Sequence, residues 1–180
     1  SLNKISNPNL IYPGQVLKVC GGSSPTPAPA PSGGLRFSAA SFDVVRYSVF
    51  SGLSNGQVDG INQIVNACNQ YGVSLNQCAY ILATAQWESA STMQPVKEGL
   101  NASDEWRRNN LRYYPYYGRG LVQLTWQSNY LNAGQKLGYG SQFVNNPDMV
   151  LQSAISCRIL VQGMVEGWFT GATLGKYING

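Results

Sequence analysis

Tyr116-Tyr117-Gly118-Arg119-Gly120-Leu121-Val122-Gln123-Leu124-Thr125-Trp126 is the run on which the fold of this chain turns, and Gln86-Trp87-Glu88-Ser89 stands a short way before it. From Leu111 to Trp126 the density of Tyr, Gly, Val and Thr predicts a small hairpin or irregular loop, with glycines that let backbone segments approach closely. The stretches on either side have a helical period. Val58, Ile61, Ile64, Val65 and Cys68 recur at steps of three and four, and Gly72 follows Tyr71 as a stop, so a helix is expected over 57–71. Ser74 with Gln77 has the form of a capping box, and Leu75, Cys78, Ile81, Leu82 and Ala85 carry an apolar face through Glu88 to an end near Ala90. A third helix is expected at about 127–137. A fourth, at about 151–169, is apolar nearly all round through Leu151, Ala154, Ile155, Ile159, Val161, Met164, Val165 and Trp168, the pattern of a buried segment. The fold class is mainly α.

A chain of 180 residues that is 43% apolar has enough material for one domain and an appendage. No run approaches the ~18 apolar residues of a membrane helix, so no membrane insertion is expected. The chain does not open like a signal peptide, so if it is secreted that signal was removed or left out. The boundary is written in Gly21-Gly22-Ser23-Ser24-Pro25-Thr26-Pro27-Ala28-Pro29-Ala30-Pro31-Ser32-Gly33-Gly34, an extended Pro-rich spacer hinged by glycines. Three parts are therefore expected: residues 1–20, the linker 21–34 and a folded domain over 35–180.

A net charge of +4 without a Lys/Arg run is too diffuse for nucleic-acid binding, although it favours approach to an anionic polymer. The chain has no histidine, and Cys20, Cys68, Cys78 and Cys157 lack metal-type spacing, so neither a metal nor any other cofactor is expected. Disulfides are the preferred reading of the cysteines, with a bridge within Cys68, Cys78 and Cys157, which implies an oxidising, extracellular setting. Buried free thiols are the alternative.

The eight acids are Asp43, Asp59, Glu88, Glu98, Asp104, Glu105, Asp148 and Glu166. Glu88, at the end of an apolar helix beside Trp87, fits a general acid, because partial desolvation favours the protonated form. Glu98 follows on a loop marked by Pro95 and Gly99, where a carboxylate can face a helix end across a cleft. Asp104 and Glu105 read as the charged start of a short helix. Arg119, between glycines, can pin a carboxylate by a two-pronged hydrogen bond. Tyr113, Tyr114, Tyr116, Tyr117 and Trp126 offer flat faces suited to sugar rings, at least two of the tyrosines being core, while Gln123 and Asn129 offer hydrogen bonds.

From Tyr117 through Trp126 and on to Asn129-Tyr130, the chain resembles the family 19 glycoside hydrolases, a group of chitinases and peptidoglycan-cutting endolysins, over about residues 55–180. The resemblance implies a lysozyme-like α+β domain with the hairpin or loop beside the active-site cleft. It puts the general acid on Glu88, although Trp87 stands where the family has histidine, and the sugar-binding glutamine, hydroxyl residue and asparagine on Gln123, Thr125 and Asn129. Thr125 then helps hold the attacking water. The second carboxylate of the family's chitinases lies on an insertion that this chain lacks, and Glu98 is the nearest substitute. The implied reaction is inverting cleavage of β-1,4 bonds in a polymer of N-acetylated amino sugars, peptidoglycan by preference and chitin as alternative, by a monomer. A non-catalytic sugar-binding module is the reading from another class. Asn7 to Val19, with its Pro13-Gly14 turn, resembles the closing part of a LysM module, whose first strand and helix are missing, so it is not expected to fold or bind sugar alone. The family's final helix is also absent after Phe169-Thr170-Gly171 and Tyr177-Ile178-Asn179, and the chain reads as an excerpt of a longer protein.

Overall fold

The computed structural model describes residues 34–179. The LysM-like stretch, Cys20 and the linker before Gly34 lie outside the described residues.

Ser38 caps α1 (Ala39–Ser48), whose Phe42 turns inward. Ser54 and Gln57 close a capping box on α2 (Asn55–Gln70), and Ser74 and Gln77 close a second on α3 (Leu75–Glu88). Each box pairs the cap hydroxyl and the glutamine amide with two otherwise orphaned backbone N–H groups. The first and second expected helices thus stand nearly where the periodicity puts them, as does the third, α5 (Gln127–Lys136). Between them lie α4 (Asp104–Asn110), with its two acids in the first turn, and two short strands, β1 (Val96–Lys97) and β2 (Arg119–Gly120). α6 (Gln142–Asn145) and a 3-10 turn over Pro147–Leu151 lead into α7 (Ser153–Glu166), and α8 (Leu174–Tyr177) follows. The expected fourth helix therefore starts later, because Pro147 opens a tighter turn and Gln152 is extended.

The all-round apolar character of α7 has a packing reason. Cys157, Leu160 and Val161 join a cluster with Phe42, Ile61, Ile64 and Ile81 from α1, α2 and α3. Ile155 and Ile159 join another with Tyr130, Ala133, Phe143 and Val150 from α5, α6 and the 3-10 turn. The helix is a wall shared by two cores, and both faces must be apolar.

The expected loop or hairpin region has a different partner from the one a local hairpin would use. β2 pairs antiparallel with β1, Val96 opposite Gly120 and Lys97 opposite Arg119, and only a single bridge, Arg119 to Leu124, closes locally. The long-range pairing brings the segment after Glu88 against the Tyr116–Trp126 run.

The cysteine reading is corrected. Cys68, Cys78 and Cys157 are free and buried, so the bridge expected among them is not formed. The three thiols act as small apolar groups in the first cluster. Burial pushes the Cys157 thiol up to about 12, and hydrogen bonding with Cys78, with burial, raises that of Cys68. Among the described residues no helix is long and apolar enough to cross a membrane.

Candidate functional site

Glu88 is the last residue of α3, and Thr84 and Tyr80 precede it at i−4 and i−8 on one helical face. These three form one side of an open cavity of about 370 Å³, and Val122, Gln123, Leu124, Thr125 and Asn129 face them, with Met164, Phe169 and Thr170 at the end of α7. A second cavity of about 470 Å³ shares Tyr80, Met164, Phe169 and Thr170 with the first and continues past Tyr177 and Ile178. The two make one elongated cleft with few charges along it.

The turn after Glu88 is tightly secured. Ala90, Ser91 and Met93 have φ of +50°, +63° and +54°, a region disfavoured for residues with a side chain. The buried Ser89 hydroxyl accepts from Met93 N–H at 3.0 Å, and Gln57 donates to the Ser91 carbonyl at 2.8 Å. Gly60 in α2 passes so close that a methyl group there would overlap the Met93 carbonyl. Strain of ~1–3 kcal/mol per residue persists only where surrounding contacts over-determine it, and such places cluster at sites that hold a reactive group. Here the group held is the Glu88 carboxyl, which makes no hydrogen bond or ion pair with the other described residues. Trp87 is 80% exposed, so its ring faces solvent and is not the dry wall expected beside Glu88.

Glu98 is placed by the strand pairing. Its N–H donates to the Gly118 carbonyl at 2.7 Å, its Oε2 accepts from Gly118 N–H at 2.8 Å, and its Oε1 accepts from the Tyr113 hydroxyl at 2.6 Å. Both carboxylate oxygens therefore act as acceptors. The contact with Glu98 raises the Tyr113 phenol. Gly118 has no room for a side chain, because a Cβ there would lie 2.7 Å from Gln123 Oε1 and 3.1 Å from Glu98 Oε2. Gln123 and Glu98 thus both crowd Gly118, and the Gln123 amide donates to the carbonyls of Val96 and Gly120 at 3.2 and 3.1 Å. Glu88 lines the cavity, and Glu98 sits beside Gly118, close to the Gln123 that lines it.

The wall itself is bent at two residues with positive φ, Gln123 at +51° and Trp126 at +75°. Thr125 donates its hydroxyl proton to the Gln123 carbonyl at 2.8 Å, which leaves the oxygen's lone pairs for a donor such as water. Asn129 donates to the Thr125 carbonyl at 2.8 Å and keeps its amide oxygen as an acceptor. Trp126, 45% exposed, turns its ring outward at the end of the wall.

Tyr117 and Arg119, expected to touch substrate, are only 1% and 4% exposed. Arg119 Nε donates to Asp148 Oδ1 at 2.7 Å, while Nη1 donates to the Pro115 carbonyl at 2.8 Å and to the Tyr130 hydroxyl at 3.0 Å. Its guanidinium carbon lies 3.6 Å from the Tyr117 ring centroid. The expected carboxylate partner exists, but it is Asp148, which Lys97 also meets at 2.8 Å. Arg119 holds the back of the wall and Tyr117 packs under it; neither lines the cleft. Partial burial works to raise the Asp148 carboxyl, but hydrogen bonds from Lys97 and Arg119 outweigh it and hold the group below its ordinary value.

Tyr80, Thr84 and Phe169 were missed as cleft residues. For the first two a signal existed, the i−4 and i−8 spacing back from Glu88; for Phe169 none did, since only the packing of α7 shows where it lies. Among the described residues no group of three or more potential metal ligands is brought together.

A family model described as chitinase class I matches residues 75–171, and a LysM domain model matches residues 1–19. The acidic 26 kDa endochitinase of Solanum lycopersicum is 60% identical over 40 residues, which is 22% of this chain and 16% of that protein. Chitinase 8 of Oryza sativa subsp. japonica is 56% identical over 41 residues, 23% of this chain and 15% of that protein. The matched stretch is thus under a fifth of either relative.

Proposed function

We propose, for a chain that belongs to the chitinase class I family through more than half its length, that it is a glycosidase cutting β-1,4 bonds in a polymer of N-acetylated amino sugars. The observation that carries this reading is the unpartnered Glu88 carboxyl facing Gln123, Thr125 and Asn129 across an elongated cleft. An elongated cleft fits a polymer, and amide and hydroxyl groups opposite a carboxylic acid fit sugar hydroxyl and acetamide groups. The names of the endochitinases above favour chitin; peptidoglycan has the same linkage and the same acetamides. Both polymers lie outside cells, so the action is extracellular.

Glu88 gives its proton to the departing glycosidic oxygen. Water, held by the Thr125 hydroxyl and deprotonated under the influence of Glu98, attacks the opposite face, so the anomer inverts. Purified peptidoglycan and chitin oligomers, each incubated with the chain, test this by product mass and by NMR of the first anomer released. Inverted products support it. Binding without new reducing ends would leave a sugar-binding module instead.

Tyr113 enters as a positioning residue, since its hydroxyl fixes one oxygen of Glu98. Tyr113→Phe is expected to lower kcat about tenfold, within the range of a lost hydrogen bond to a charged group, with KM and melting temperature little changed. In a Glu98→Gln background the same change is expected to have almost no effect. An equal penalty in both backgrounds would disconnect Tyr113 from Glu98.

A further inference from the structure

We propose that Arg112, stacked over Trp126 at the end of the cleft wall, recognises a carboxylate carried by the polysaccharide, so that the site favours a carboxylate-bearing chain of N-acetylated amino sugars over an uncharged one. The proposal rests on the glycosidase reading above and names the substrate class within it.

The Arg112 guanidinium carbon lies 5.3 Å from the Trp126 ring centroid, and both side chains are exposed. Trp126 directly follows Thr125, and the edge of Tyr113 packs against its ring at 5.2 Å while the Tyr113 hydroxyl holds Glu98. Arg112 is thus one side chain away from the wall and one from the second carboxylate. Among the described residues no carboxylate lies within ion-pair distance of Arg112, whereas Lys97, Arg107 and Arg119 each have one.

The acids nearby are engaged elsewhere or form no ion pair with Arg112. Glu98 accepts from Tyr113 and Gly118, and Asp104 is tied to Arg107. Glu105, in the first turn of α4, is exposed and makes no ion pair with Arg112. Arg108, on the same helix, is stacked on Tyr114. The outer end of the wall is therefore cationic and aromatic, whereas the inner cleft carries amides, hydroxyls and apolar groups. A guanidinium held on an aromatic face loses little freedom when its planar fork takes a carboxylate. A lactyl ether or a peptide on the sugar supplies such a group; plain N-acetylglucosamine polymers have none.

An ion pair at an exposed site contributes ~1 kcal/mol at most and is screened by salt, so the expected preference is about fivefold at low ionic strength. The full chain carrying Glu88→Gln, which prevents turnover, would be titrated with soluble peptidoglycan oligosaccharides and with the same oligosaccharides after amidation of their carboxylates. The carboxylate form is expected to bind about fivefold tighter in dilute salt, the advantage fading at about 0.5 M salt. Adding Arg112→Gln is expected to bring the ratio close to one. The proposal is overturned if the first chain shows no preference, if the preference survives Arg112→Gln, or if that change weakens both forms equally, which would mark Arg112 as mere packing for Trp126. Release of reducing ends by the chain with Glu88 intact tests the glycosidase reading separately.

Discussion

Glu88→Gln is expected to lower kcat by two to four orders of magnitude, the usual worth of a positioned general acid, with KM within about threefold of the parent. Glutamine keeps the shape of the side chain and its capacity to meet a sugar, but it has no acidic proton to give. The stability of the variant should match the parent, because the Glu88 carboxyl has no hydrogen-bond or ion-pair partner among the described residues to be orphaned. That separates it from Glu98, where two donors would be left facing an amide. Steady-state hydrolysis of chitin oligomers and of peptidoglycan, with a melting curve on the same sample, checks both halves. Turnover close to parental would move the acid role away from Glu88.

α2 and α3 were legible because each carried redundant local signals, whereas α1, α6 and α8 were not foreseen. α3 has a capping serine, its glutamine partner three residues on and an apolar face, and any one of these alone would have been weak. α7 was legible as buried, though not as the wall between two clusters, since that depends on which helices pack on each side. The site was legible in composition and only partly in orientation. Gln123, Thr125 and Asn129 line the same cavity as Glu88, but Tyr117 and Arg119, from the most recognisable run in the sequence, point inward. Nothing in a one-dimensional pattern distinguishes a motif residue that touches substrate from one that fixes the loop. Here the strand pairing of Val96–Lys97 with Arg119–Gly120 decides, because it turns Arg119 toward Asp148 and sets Gly118 against Glu98. The disulfide expectation erred for a related reason. Cysteine number suggests an oxidising compartment, whereas nearly complete burial lets the same side chains serve as core.

Asp148→Ala is expected to destabilise the fold by about 2–3 kcal/mol near neutral pH, since it strips the buried Arg119 of its counter-charge. At about 2–4 °C per kcal/mol for a domain of this size, the melting temperature should fall by roughly 5–10 °C. The figure is set by Arg119, 4% exposed, because the outer contact of Asp148 with Lys97 is solvated and is worth little. Only part of the loss is expected from Asp148→Asn, whose amide oxygen can still accept from Arg119 Nε. The effect should depend on pH in a defined direction. Asp148 is held below its ordinary value of 3.8, so its charged contacts stabilise the fold above that value and are lost as pH falls through the lower folded one. The gap in melting temperature between parent and Asp148→Ala should therefore be full near neutrality and close progressively as pH drops below the ordinary value of 3.8. Substrate affinity at temperatures well below melting should change little, because neither Arg119 nor Asp148 lines the cleft. Equal melting at pH 7, or a gap that stays constant into acid, would mean that Arg119 is held by its carbonyl and Tyr130 contacts alone. A large rise in KM without loss of stability would instead return Arg119 to the substrate.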